Sequence, residues 1–537
     1  MINAAIGQMK IVPGAVSLNL QNAQKMVDQA SALGAELLVL PGWCLSGKWR
    51  KNTSLSMQRE LHLQCVEAGM ELAKYDPNIT VVFGNMQIDD FSSAIWVGQG
   101  GKFSVHAPGK ALSLEMGKRS LRVGLSVGEA VGDPTVDLMV VCGGDPYFRQ
   151  NESPRQKWAK IAQQNDCAVL YANGVGLQNC GDKMYALLGC SAAVERGGKL
   201  VYKLPPDQEQ CSLVTWHSPS ATTVTPKSEM SLTLFALRRV IADYMEQSSL
   251  RKVVVGASGG IDSAVVAALM VHVCGPENVL LISMPSAYNS ATTQSLARKL
   301  AQNLGCYFAT VGIDQSVALT QEQISGLEIK NAAGATQNLK LSDFHLENVQ
   351  ARDRSGRILA AAAAAWGAVF TCNANKVEAT VGYSTLYGDH GGFIAPLGDL
   401  WKHEVYALGR YLNHIFASEV MPEGVFNIKP SAELSPQQNP EKGGGDPFHY
   451  WYHDQLLAAF TEKGLGPTAL KEAYQKGHLK ALLNLDRPVE ELFASAEEFE
   501  ADLQHWWRQY TGPGAFKRVQ APPVITVALP PKLLRLK

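Results

Sequence analysis

The chain has 537 residues, of which 46% are hydrophobic and 18% charged, and its formal net charge is −1. That length exceeds one ordinary domain and the composition suits a large apolar core, while near-neutrality excludes the global field that draws a protein to nucleic acid or anionic lipid. The ten cysteines are scattered without a C-x-x-C pair and several sit in apolar runs, so reduced, buried thiols in a reducing compartment are expected.

Met1-Ile-Asn-Ala-Ala-Ile6 reads as a first strand and lacks the basic start and apolar stretch of a signal peptide. No run of about 18 apolar residues follows, so we expect no membrane span and no membrane partner, and a cytoplasmic protein. Ala4–Gln8 leads to a helix near Leu18–Leu33 and strands at Glu36–Leu40, Thr80–Gly84, Ala94–Val97, Val123–Val127 and Leu138–Cys142. A helix near Pro154–Asn165 and a strand at Cys167–Asn173 complete a layered α/β pattern over 1–216. Residues 217–227 are rich in Ser, Thr and Pro without apolar periodicity, which makes 217–229 a linker to a second domain, 230–537. That domain opens with a helix near Leu232–Tyr244 and the strand Lys252–Ala257, and turns to aromatic-rich helices after about residue 440.

Directly after this strand comes Ser258-Gly-Gly-Ile-Asp-Ser-Ala264, and then an apolar helix stopped by Gly275. Strand, glycine turn and helix N-terminus together aim several backbone N–H groups at a phosphate. Gly259 and Gly260 allow close approach of the backbone, and Ser258 and Ser263 add hydroxyl donors. Asp262 would repel polyphosphate unless a cation lay between them, which implies Mg²⁺; a capped tight turn is the alternative. The spacing is not that of a P-loop, whose lysine is absent. The string resembles the S-G-G-x-D-S loop of the ATP pyrophosphatases.

Further segments narrow the resemblance. Glu347-Asn-Val-Gln-Ala-Arg352, Asn375-Lys-Val-Glu378, Val381-Gly-Tyr-Ser-Thr-Leu-Tyr-Gly-Asp389, Lys429-Pro-Ser-Ala-Glu-Leu434 and Lys517-Arg-Val-Gln-Ala-Pro-Pro523 are similar, in order and spacing, to motifs of the glutamine-dependent NAD synthetase family. The resemblance implies a nitrilase-like α-β-β-α sandwich followed by a doubly wound parallel-sheet domain of the ATP pyrophosphatase (adenine nucleotide alpha hydrolase-like) type. It implies an ATP- and Mg²⁺-dependent ligase in which the nicotinate carboxylate of deamido-NAD attacks ATP, giving an acyl-adenylate and pyrophosphate, and ammonia displaces AMP.

On that resemblance Asp262 and Glu378 hold the metal, and Lys402 and Lys429 neutralise ATP phosphates beside Ser258, Gly259, Gly260 and Ser263. Asp389 orders the site around the nicotinate group. Arg352, Asn375, Lys376, Tyr383, Glu433 and Lys517 fall to substrate binding. As lone residues the lysines would read as solvated charge, and Arg352 and Arg354 either pair with dinucleotide phosphates or form helix-surface ion pairs.

Ala5-Ile-Gly-Gln8 and Gly34-Ala-Glu-Leu-Leu-Val-Leu-Pro41 resemble the amidase half of the family, whose Glu-Lys-Cys triad hydrolyses glutamine. Here Gly42 stands at the glutamate position and Gly128 at the cysteine, and Lys110 or Lys118 is a relic of the lysine at most. Nucleophilic catalysis needs thiolate and base at one point. The expectation is therefore a pseudo-amidase and direct use of ammonia. The alternatives are glutamine use through displaced residues such as Cys44 or Cys142, a separate glutaminase partner, or a scaffolding pseudoenzyme inactive in both halves. The resemblance also implies a homo-oligomer.

Overall fold

The structure is a computed structural model and describes residues 2–48, 54–86, 92–116, 119–127, 135–149, 154–179, 183–216 and 228–528. The chain divides into two compact units, Met1–Tyr244 and Met245–Lys537.

In the first unit two six-stranded sheets lie face to face. One runs in the order Gln210–Leu213, Ala4–Gln8, Leu37–Val39, Thr80–Met86, Ser93–Gln99, Lys102–His106; the other runs Leu200–Lys203, Ala192–Val194, Ala168–Asn173, Leu138–Gly143, Arg119–Ser126, Ala111–Met116. Alternation along each strand builds the layers. Ala4, Ile6, Leu37 and Val39 meet Val123, Leu125, Leu138 and Val140 of the facing sheet. Ala5 and Leu38 turn outward onto the helices Val16–Ala32 and Leu55–Tyr75. The outer face of the second sheet is covered by the helix Pro154–Gln164 through Trp158 and Ala162. This is the α-β-β-α sandwich expected.

The helix Leu55–Tyr75 has no counterpart in the sequence reading, because its buried face mixes His62, Cys65 and Gly69 with few large apolar residues. Of the expected linker 217–229, residues 217–227 lie outside the described residues. The helix that follows, Glu229–Gln247, was expected in the second domain, yet its residues to Tyr244 belong to the first unit. Arg238 and Arg239 pair with the buried Asp207, Lys10 reaches Asp243 at 3.0 Å, and Asp243 accepts from Leu177 N at 2.9 Å. Amphipathicity marks a helix but not which of two neighbours its polar stripe binds.

The second unit has a parallel sheet in the order Tyr307–Thr310, Val279–Ser283, Lys252–Gly256, Ala368–Phe370. In chain order this is 3-2-1-4. The direction of winding reverses beside Lys252–Gly256, and ligands of such sheets bind outside the strand carboxyl ends at that switch point. An aromatic helical layer packs Tyr452, Phe460, Phe499 and Trp506 around Val377, Val381 and Trp401. Among the described residues no helix is long and apolar enough to cross a membrane.

Candidate active site

Two loops leave the sheet at this switch point, Ala257–Gly260 after the first strand and Thr371–Asn375 after the fourth. Gly259 has φ +86°, and a Cβ there would stand 2.1 Å from the Thr293 carbonyl oxygen, so only glycine fits. Ser263 Oγ donates to the Gly260 carbonyl oxygen at 3.0 Å, and Ser258 Oγ accepts from Gly260 N at 3.2 Å. The two hydroxyls therefore brace the loop they were expected to donate from. Gly260 caps the helix Ile261–Cys274 without a side-chain acceptor, which leaves its first N–H groups available to an anion.

The second loop ends in Asn375, which caps the helix Lys376–Val381 in a capping box with Glu378. Asn375 Oδ1 accepts from Val377 N at 2.9 Å, and Glu378 Oε2 accepts from Asn375 N at 3.2 Å. Its other amide atom reaches across the switch point: Nδ2 donates to Glu378 Oε1 at 2.9 Å and to Asp262 Oδ1 at 3.1 Å. One local capping motif thus sets two carboxylates, from the first turns of two different helices, on one point. Lys402, 1% exposed at the start of the helix Lys402–Ile415, donates to Asp262 Oδ2 at 2.5 Å. Burial alone would lower its ammonium, but Asp262, Glu378 and Asp446 outweigh that and raise it. Burial and the Asp262 charge push the Glu378 carboxyl well above the usual range.

These groups line a cleft of about 270 Å³. Its far wall carries Glu433, held at φ +47°, whose carboxylate accepts from Asn289 Nδ2 at 2.9 Å, Ser290 N at 3.1 Å and Thr293 Oγ1 at 2.9 Å. Such strained backbone persists where its surroundings over-determine it. A seven-residue π-turn, Asp353–Leu359, brings in Arg354, which donates to the carbonyl oxygens of Met284 at 3.0 Å and to Asn289 Oδ1 at 3.1 Å. Burial pushes its guanidinium down to about 10, against the pull of Glu433 and Asp353. Asp389 opens onto the cleft and accepts from Thr385 N at 2.6 Å. The surrounding protein raises its carboxyl, while backbone donors and Lys517 oppose the rise.

Of the residues singled out in the sequence, Ser258, Gly260, Asp262, Ser263, Glu378, Tyr383, Asp389, Lys402, Lys429 and Glu433 line this cleft. Gly259 and Asn375 support it from behind. Three stand elsewhere. Lys376, expected to bind substrate, bridges Asp399 at 2.6 Å and Glu462 at 2.7 Å and does not line the cleft. Arg352 donates to the Leu386 carbonyl oxygen at 3.0 Å and lies over the Tyr387 ring, also outside it. Lys517 caps the carbonyl oxygens of Gly382 and Ser384 and lines a neighbouring cavity. The sequence reading missed Asp446, whose carboxylate accepts from Tyr450 OH at 2.8 Å. The run Gly443-Gly-Gly445 before it was the available signal. No set of three or more His, Cys, Asp or Glu side chains among the described residues gathers as for a metal. The Asp262–Glu378 pair still fits a cation, since both face one amide and their shared negative charge is offset only from the Lys402 side.

The first unit offers the opposite picture at Gly42. Its N–H donates to the Gly143 carbonyl oxygen at 2.7 Å, and a Cβ at Gly42 would stand 2.7 Å from the Cys142 carbonyl oxygen. Cys44 and Cys142 are fully buried, and both thiols are pushed up by burial, away from the thiolate form. Lys110 is exposed; Lys118 and Gly128 lie outside the described residues.

Residues 233–485 match the NAD synthase family model. A glutamine-dependent NAD(+) synthetase of Synechocystis sp. is 29% identical over 499 residues, covering 82% of this chain and 85% of that protein. One from Aquifex aeolicus is 28% identical over 545 residues, covering 89% and 92%. In fold, the chain is similar to a glutamine-dependent NAD(+) synthetase of Cytophaga hutchinsonii, with TM-score 0.76, 17% identity and 98% and 95% covered. It is also similar to one from Acinetobacter baumannii in complex with ADP, with TM-score 0.68, 23% identity and 90% and 92% covered. The chain carries a domain that matches the NAD synthase family model, and over most of its length it is similar to glutamine-dependent NAD(+) synthetases.

Proposed function

We propose that this chain is a ligase that completes NAD by amidating deamido-NAD, with ATP cleaved to AMP and pyrophosphate in the cleft of the second unit. The observation that carries this reading is the convergence of Asp262, Asn375, Glu378 and Lys402 beside an uncapped helix N-terminus at the sheet's switch point. The N–H groups around Gly260 and Ile261 receive the leaving pyrophosphate. Lys402 and Lys429 neutralise phosphate charge as it shifts from the α-phosphorus to the leaving group, which is electrostatic work that needs no proton transfer. Asp262 and Glu378 would hold Mg²⁺, which supplies charge neutralisation and phosphate orientation when bound. Arg354 and Glu433 shape the far wall where the nucleotide lies, and Asp389 and Tyr383 border the carboxylate to be amidated. Positioning two reactants in one enclosed cleft supplies much of the acceleration.

For the nitrogen donor, the residues of the first unit support direct use of ammonia: a Cβ at Gly42 would crowd the Cys142 carbonyl oxygen, and Cys44 and Cys142 are buried as thiols. The relatives' names favour the second reading, glutamine as donor. That reading requires a nucleophile other than Cys44 or Cys142, or a separate glutaminase partner. The test of the main proposal is AMP and pyrophosphate release with deamido-NAD, xanthosine monophosphate and aspartate as rival acceptors. Release that depends on deamido-NAD supports the proposal, and preference for either rival defeats it. Silence with all three would favour a scaffolding role.

A further inference from the structure

Next to the cleft lies a second cavity of about 310 Å³, bounded by Thr385, Tyr387, Lys517 and Gln520. Ser384, His390 and Gly391 line both spaces and so form the wall between them. His390 is 5% exposed, and neither of its ring nitrogens meets a protein partner among the described residues; nor does Ser384 Oγ. Buried polar atoms are ordinarily hydrogen-bonded, and leaving three together without protein partners costs free energy that a ligand can recover. Burial, helped by the Lys517 cation, pushes the imidazole down to about 4, so the ring is neutral and offers one donor and one acceptor.

We propose that the second cavity receives the nitrogen nucleophile as neutral ammonia, and that His390 and Ser384 orient it toward the carbonyl carbon in the cleft. The inference rests on the amide-forming reading of the cleft. Its chemistry selects among small polar guests. Ammonium is repelled by Lys517, and a neutral imidazole gives it no compensating charge. An anion finds Lys517 already engaged, since its Nζ donates to the carbonyl oxygens of Gly382 at 2.7 Å and Ser384 at 2.5 Å. Ammonia needs an acceptor for an N–H while its lone pair points away, and the unprotonated ring nitrogen and Ser384 Oγ both accept. Gly391 adds no side chain to the partition. In the reaction, the nitrogen lone pair forms the C–N bond and the acyl C–O bond to AMP breaks with its electrons on the phosphate oxygen. One nitrogen proton is released to water. His390 is thus a positioning residue, and the adenylation step does not involve it.

The test uses the full chain and two readouts, deamido-NAD-dependent ATP–pyrophosphate exchange and NAD formation against ammonium concentration. His390→Asn and Ser384→Ala should each keep exchange and the KM for ATP near wild type while raising the KM for ammonium about tenfold, the effect of one lost hydrogen bond. A misfolded variant would lose exchange as well, and Ser384→Ala, the smaller change, then decides the matter. A rise in the KM for deamido-NAD with unchanged ammonium dependence would overturn the proposal by assigning the cavity to the dinucleotide. Unchanged kinetics throughout would overturn it too. Absence of exchange in the wild-type chain would instead remove the amide-forming reading on which the proposal rests.

Discussion

Where two strands of the second unit end at its switch point, Asn375 gathers Asp262 and Glu378 on one amide and leaves space before them for a nucleotide. In the first unit, around Gly42, the backbone fills the space itself. A Cβ on Gly84 would meet Gly42 Cα at 2.8 Å, and one on Gly143 would meet the Tyr171 ring at 2.4 Å. The second unit concentrates charge at its switch point, with the buried Lys402 paired to Asp262 beside Glu378. Around Gly42 in the first unit, glycines stand where strand ends approach each other closely.

The largest effect is expected from disarming the second unit. Asp262→Asn and Glu378→Gln should each cut NAD formation by about three orders of magnitude or more, since a contact that offsets phosphate charge is worth several kcal/mol. Circular dichroism should stay native, and near-wild-type turnover at saturating Mg²⁺ would remove both residues from the site. Lys402→Met comes next. It leaves Asp262 facing Glu378 without a buried counter-charge, and a broken pair of that kind costs about 3–5 kcal/mol. Turnover and the urea midpoint should fall together; a variant that loses turnover alone would mean that Lys402 serves only the phosphates.

Two smaller effects sharpen the contrast. Lys376→Met should lower stability by about 3 kcal/mol by removing the cation that bridges Asp399 and Glu462, yet leave the KM for deamido-NAD unchanged. A raised KM with native stability would return Lys376 to substrate binding. Gly42→Ala should cost about 1–3 kcal/mol of overpacking strain in thermal melts, with ammonium-dependent activity retained. A neutral or stabilising result would show that the strand ends can part to admit a side chain there.

How much of this was legible in the sequence differs between the units for physical reasons. Strands such as Thr80–Met86 and Leu138–Gly143 announce themselves as apolar runs, because burial on both faces leaves no polar alternation. The loop Ser258–Ser263 is readable because its chemistry is local to six residues. Asn375 and Glu378 were found as a motif, but their reach to Asp262, 113 residues away for Asn375, depends on strand order. Asp446 and His390 were not found, since each acquires its role only from groups that the fold brings around it. Lys376 shows the converse. It sits inside a recognisable motif, one residue from Asn375, and the helix turns it toward Glu462 and away from the cleft.

A working synthetase cleft in the second unit, with no amidase activity in the first, is the proposal with most at stake. It is tested most directly by NAD formation and glutamate release measured side by side with ammonium and with glutamine on the purified chain. NAD and AMP are expected with ammonium, rising with pH as free ammonia increases, and neither NAD nor glutamate with glutamine alone. Glutamate released in step with NAD from glutamine, and lost in Cys44→Ser or Cys142→Ser, would contradict the proposal by revealing a working nucleophile in the first unit.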